Sequence, residues 1–196
     1  MDGSVRRHLA LLGLFLAALA WSGWQPKDRF TWVLEVFPAV LGCAVLCATY
    51  RRFRFTDLAY ALMLAHALIL LVGGHWTYAE VPWFSGWARN PFDRIGHLAQ
   101  GFVPAVLARE ILLRTSPLRP GKWLNFLVVC VCLAISASYE LFEAATAILT
   151  GEAADAFLGT QGDPWDTQKD MACALVGAVS ALGLLGRLHD RLLGRR

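Results

Sequence analysis

The sequence predicts an all-α fold, a polytopic bundle of about six transmembrane helices. Three observations predict it. Of 196 residues, 57% are hydrophobic and only 17% are charged, whereas soluble domains carry roughly a quarter charged residues. The apolar residues gather in six blocks, each close to the roughly 20 residues that cross a bilayer as a helix. The Lys and Arg residues between the blocks are shared unequally between the two ends of the helices. The connections leave no room for a separate soluble domain, and unpaired backbone groups cannot face lipid. A single integral membrane domain over residues 1–196 is therefore expected.

The first block, about 9–24, follows Arg6 and Arg7. Its Ala18-Leu19-Ala20 also resembles a signal-peptidase site, and cleavage there would leave five spans and an external N-terminus. The second block, about 33–50, carries Cys43 and Cys47 on one face. The third, about 57–78, contains His66 and then Gly73-Gly74, where the helix has a place to break. The fourth, about 91–113, opens Asn90-Pro91-Phe92-Asp93, and the sixth, about 164–188, opens Asp163-Pro164-Trp165-Asp166. In both, Asn or Asp suits the cap, Pro the first helical position and Asp the first turn. The fifth, about 123–150, holds Ser136, Glu140 and Glu143. All five cysteines, Cys43, Cys47, Cys130, Cys132 and Cys173, lie inside apolar blocks. They are read as buried packing residues rather than a disulfide framework.

Lys and Arg in short loops stay cytoplasmic. With the N-terminus inside, inner segments hold Arg6, Arg7, Arg51, Arg52, Arg54, Arg114, Arg119, Lys122, Arg187, Arg191, Arg195 and Arg196. Outer segments hold only Lys27, Arg29, Arg89, Arg94 and Lys169. Arg109, near an inner end, is expected to snorkel. The sequence therefore predicts a multi-pass protein of the bacterial inner membrane with both termini cytoplasmic. Trp21, Trp24, Trp32, Trp76, Trp83, Trp87 and Trp165 fall toward the outer side and only Trp123 toward the inner, which hints at a structured outer face.

That orientation gathers polar residues near the outer face. His97 lies four residues past Asp93, and Asp170 four past Asp166. Each is six residues past its proline, roughly 9 Å along the helix. Glu143 reaches a similar depth from the outer end of the fifth span, with Glu140 a turn deeper. Gln100 shares a face with His97. The candidate catalytic residues are thus His97, Glu143, Asp170, Glu140, Asp166 and Gln100. Ionisable groups at such depth usually face a bundle interior or wet cavity; the competing reading is a hydrogen-bonded packing network. His75, Tyr78 and Glu80 rank second, and His66 reads as a packing residue. Glu110 pairs most simply with Arg114, four residues on.

A set rich in carboxylates with one histidine suits a divalent cation, so His97, Glu143, Asp166 and Asp170 are candidate ligands, although no metal motif such as HExxH is present. Arg89 and Arg94 are candidate contacts for an anionic head group. No other cofactor is indicated. Membrane lipids are the expected partners, and nucleic acid is not. Three function classes stand open: binding or processing of an envelope lipid or lipid-linked head group, a small transporter or proton relay, and a non-catalytic membrane assembly factor. A transporter favours polar residues near the midplane, and here they gather near one face. Whether the chain is an enzyme is left open.

The stretch HWTYAEVPWFSGWARNPFDRIGHLAQGFVPAVLARE from His75 to Glu110 resembles the YjdF family of bacterial inner-membrane proteins. So do YELFE at Tyr139–Glu143 and FLGTQGDPWDTQKDM at Phe157–Met171. The resemblance implies architecture and location, not a reaction. More distantly, the chain is similar to VanZ-like membrane proteins, which are associated with glycopeptide-antibiotic resistance. Asp93-Arg94-Ile95-Gly96-His97 looks like their acidic-basic-x-x-His helix start, Glu143 like their mid-chain glutamate, and Asp166 with Asp170 like their late polar pair. This chain has no Asn near the last of these positions. That similarity implies a link to the cell envelope.

Overall fold

The structure is a computed structural model that describes residues 3–151 and 155–194, with the backbone alone at 155 and 156. Among these residues there is no strand. The long helices are α1 (Gly3–Gly23), α2 (Arg29–Thr49), α3 (Asp57–Trp76), α4 (Phe92–Thr115) and α5 (Lys122–Thr150). A 3₁₀ turn at Pro82–Phe84 precedes α4. The short α6 (Asp155–Leu158) leads to α7 (Asp166–Leu192). The helices follow the six apolar blocks, and the chain is a helical membrane protein.

Five described helices, α1, α2, α3, α5 and α7, are long and apolar enough to cross a membrane. The exception is α4, which has the length, 24 residues, but carries Asp93, Arg94, Arg109, Glu110 and Arg114. From Arg94 to Arg109 it rises roughly 22 Å, short of a hydrocarbon core of roughly 30 Å. A crossing by α4 therefore relies on pairing its charged ends.

The chain divides into two compact units. One contains the described residues of Met1–Gly96 and Glu143–Pro164, the other those of His97–Phe142 and Trp165–Arg196. In the first unit α1 and α3 run parallel. His8 near the start of α1 meets Asp57 at the start of α3, Nε2 to Oδ1 at 2.8 Å. Near their other ends Ser22 donates its hydroxyl to the Leu71 carbonyl at 2.6 Å. The same hydroxyl accepts from Trp32 Nε1 of α2 at 2.9 Å, so one serine ties three helices. Phe15, Val36, Ala39 and Leu71 form the apolar core between them. Asp28 caps α2 by accepting from Thr31 N at 2.7 Å, and Thr56 caps α3 by accepting from Ala59 N at 3.3 Å.

The Gly73-Gly74 pair does not break α3, which continues to Trp76. These glycines serve close packing. A Cβ on Gly74 would stand 3.0 Å from Val36 of α2, and one on Gly73 would stand 2.2 Å from the Tyr78 ring. Thr77 and Tyr78 both take the left-handed conformation, with φ of 55° and 50°. That turn folds Tyr78 back onto α3.

In the second unit α4 and α7 also run parallel. His97 lies beside Asp170 near their starts, and Arg109 beside Asp190 near their ends. Between these points the backbones touch. A Cβ on Gly101 would lie 1.8 Å from the Ala174 carbonyl oxygen, and one on Gly177 would lie 2.1 Å from that of Leu98. Small residues let membrane helices approach this closely, which gains dispersion contacts where lipid provides no hydrophobic drive.

The expectation that all the cysteines are buried is corrected. Cys132 is buried, but Cys47 and Cys130 are exposed, and no disulfide joins any of the five. An apolar surface facing lipid hides a thiol from water without covering it with protein.

Candidate functional site

In the second unit, His97 is only 6% exposed although it is ionisable. Its Nδ1 lies 3.0 Å from Gln100 Oε1, the one-turn pairing that the helix period dictates. Glu140 approaches from α5, with Oε1 3.7 Å from the same nitrogen. Asp170 approaches from α7, with Oδ2 4.0 Å from Nε2. Tyr139 contributes an edge-on ring with centroids 6.5 Å apart. Glu140, Asp166 and Asp170 are themselves buried. Of the sequence-derived set, His97, Gln100, Glu140 and Asp170 thus meet around one imidazole. Asp166 lies one turn before Asp170 on α7.

The remaining candidates belong to the first unit. Glu143 is half-buried on the last turns of α5. Its carboxylate, with those of Glu35 and Asp93, acts electrostatically on Tyr78. Tyr78 lies two residues past Trp76, where α3 and the candidate span end. Burial first, and then these three negative charges, push its phenol well above the ordinary range, so it stays a hydroxyl.

Arg89 donates to the Thr160 carbonyl at 2.6 Å and lies 3.8 Å from Asp93. Arg94 donates to Asp163 at 3.3 Å. The loop before α7 is therefore docked on the start of α4. Gln161, left-handed at φ 48°, accepts from Asn90 N at 2.9 Å. It donates back to the Asn90 carbonyl at 3.1 Å. Asn90 Oδ1 accepts from Phe92 N at 3.0 Å, as expected of a cap ahead of Pro91. At the other repeat of the pattern the N-cap position falls on Trp165, without a side-chain cap bond.

Of the second-ranked residues, His75 is structural. Its Nδ1 donates to the Ser22 carbonyl at 2.9 Å, and its ring stacks on Trp21 at 4.7 Å. Glu80 is paired with Lys27.

A second buried network stands at the other end of α4 and α7. Glu110 and His189 are both 0% exposed. Glu110 accepts from Arg114 at 2.8 Å, as its spacing implies, and meets His189 Nε2 at 3.0 Å. Arg109 donates to His189 Nδ1 at 3.3 Å and to Asp190 at 2.6 Å. Arginine only donates, so His189 Nδ1 accepts and Nε2–H points to Glu110. The expectation that Arg109 snorkels is overturned. It is 4% exposed, because Asp190 supplies a counter-charge inside the helix pair and the guanidinium has no need to reach water.

Sequence reasoning found the Glu110–Arg114 pair but missed its partners on α7 and the buried Glu35 of α2. The signal for Glu35 was a lone acid in an otherwise apolar block. The partners of Arg109 and Glu110 on α7 carry no local signal, since they lie about 80 residues away.

Residues 7–191 match the family described as "Predicted membrane protein (DUF2238)". The chain is similar to the inner membrane protein YjdF of Escherichia coli (strain K12), 50% identical over 184 residues. That match covers 90% of this chain and 88% of the relative. No solved structure matches the chain.

Proposed function

We propose, for a chain that belongs to the DUF2238 family of inner-membrane proteins, that it binds or processes the head group of an envelope lipid or lipid-linked molecule on the extracytoplasmic side. The observation that supports this reading best is the buried His97, set among Gln100, Glu140 and Asp170. Burying ionisable groups in a membrane is costly, and such groups usually mark a substrate or ion site. We assign His97, Glu140, Asp170, Asp166 and Gln100, all of the second unit, to the site. The reading takes the chain as a single membrane domain with six crossings and both termini cytoplasmic. The charge asymmetry of the loops supports that orientation.

A proton relay is less well supported. Between His97 and the Glu110–His189 network, the buried residues of α7 are Ala174, Gly177, Ala178 and Ala181, and α4 contributes Val103, Ala105, Val106 and Ala108. None of these carries a proton.

The test is lipid mass spectrometry on protein purified in native lipid, comparing wild type with His97→Ala and Asp170→Asn. A head-group species that co-purifies with wild type and is lost from both folded variants is the expected outcome. An identical lipid complement in all three overturns the reading. Disappearance of the variants from the membrane points instead to a packing network.

A further inference from the structure

The first unit gathers five arginines at one end. Arg6 and Arg7 lie near the start of α1, and Arg51, Arg52 and Arg54 lie in the turn between α2 and α3. All five are exposed. Two contacts pin that turn onto α1. His8 Nδ1 lies 2.7 Å from the Tyr50 hydroxyl, and Arg54 donates to the Ser4 hydroxyl at 3.4 Å. Each arginine is therefore within two residues of a contact that joins the two segments. The Arg54 guanidinium also lies 4.7 Å from the centre of the Tyr50 ring, a cation–π contact.

Against these five charges, residues 3–8 and 49–60 set one carboxylate, Asp57. Both of its oxygens are engaged, Oδ2 with Arg7 at 2.6 Å and Oδ1 with His8 Nε2 at 2.8 Å. The carboxylate only accepts, so Nε2 carries the ring proton, and Nδ1 of the neutral ring accepts from Tyr50. Asp57 thus fixes the patch and balances one of its five charges at most.

The patch stands at the bilayer surface, because Gly3, Thr49 and Asp57 are ends of candidate spans. Setting orientation needs the charges alone; the pinning contacts go further and hold arginines of two separate segments together. Guanidinium forks match phosphate oxygens in pairs. Basic residues beside a span end attract anionic lipids, at roughly fivefold in affinity for each.

We propose that this patch binds the phosphodiester head group of an anionic phospholipid in the adjoining leaflet, the cytoplasmic one in the orientation given above. It uses no residue of the His97 cluster, so the two sites are tested separately.

The experiment mixes the full chain, purified in a neutral detergent, with phosphatidylglycerol or with phosphatidylcholine of the same acyl chains. Native mass spectrometry counts the lipid retained. Wild type is expected to hold phosphatidylglycerol at least about tenfold more tightly than phosphatidylcholine. Arg51→Gln with Arg52→Gln should weaken retention of phosphatidylglycerol roughly 25-fold and leave that of phosphatidylcholine unchanged. Arg119→Gln, which removes an exposed charge from the second unit, should bind as wild type does. Should the glutamine pair fail to insert, Arg51→Lys with Arg52→Lys keeps the charge and the orientation but loses the forks, and a several-fold loss is expected. Equal retention of the two lipids by wild type overturns the proposal. So does unchanged retention in whichever double variant inserts, or an equal loss in Arg119→Gln, which would trace binding to total charge.

Discussion

Gly101 of α4 and Ala174 of α7 meet backbone to backbone, so that a single methyl group on the glycine would stand 1.8 Å from the alanine carbonyl oxygen. The obstacle is main chain, which cannot rotate away as a side chain would. Gly101→Ala should therefore force the two helices apart and cost about 1–3 kcal/mol. Gly177→Ala should act alike. A methyl group on Gly183 would have nothing within 4 Å of it, so Gly183→Ala should be neutral or stabilising by up to about 1 kcal/mol. Thermal unfolding in detergent compares the three. Equal melting of Gly101→Ala and wild type would contradict the contact.

Glu110→Ala should be among the most destabilising changes in the protein. It leaves His189, which is 0% exposed, with Nε2–H and no acceptor. Leaving a buried donor without its acceptor costs on the order of 1–3 kcal/mol. Arg114→Ala should cost less than Glu110→Ala, because removing the half-exposed Arg114 side chain opens the Glu110 carboxylate to water. Melting and membrane abundance check the ranking, and the reverse order would refute it.

Gly73 and Tyr78 form a testable pair, since a methyl on Gly73 would meet the Tyr78 ring at 2.2 Å. Gly73→Ala alone should destabilise. In a Tyr78→Ala background the same change should cost less, by about 1 kcal/mol, because the ring is gone. Additive effects in the double-mutant cycle would mean that the two residues do not touch.

Orientation is accessible to reporter fusions. Junctions at residues 55 and 118 should report cytoplasmic, and a junction near residue 155, on the link between α5 and α7, should report extracytoplasmic. A cytoplasmic signal near 155 would invert the orientation and move the His97 cluster to the other side.

The helices and part of the candidate site are legible in the sequence. Runs of apolar residues mark α1, α2, α3, α5 and α7 as long helices, because span length follows from bilayer thickness. The pairing of Glu110 with Arg114, and of His97 with Gln100, follows from the helix period. The spacing from their helix ends sets His97, Glu143 and Asp170 at similar depths, with Glu140 a turn deeper, and it is Glu140 that stands beside His97. Depth alone leaves rotation about each helix axis free, and that freedom is why the burial of Arg109 is not legible. Its neighbours in sequence offer no acid on its face of α4, whereas Asp190 arrives from a helix some 80 residues later.

By itself, then, the sequence determined that this protein is a helical inner-membrane protein with buried polar groups near the starts of α4 and α7. These properties are local, set by hydrophobic run length, helix period and capping chemistry. The tertiary structure decided which faces meet. It set α4 and α7 parallel, with Gly101 and Gly177 against opposing carbonyls, and turned His97 toward Asp170 and Glu110 toward His189. Those choices depend on contacts between residues more than 70 positions apart, where close packing selects one rotation of each helix, and no local pattern records the partner.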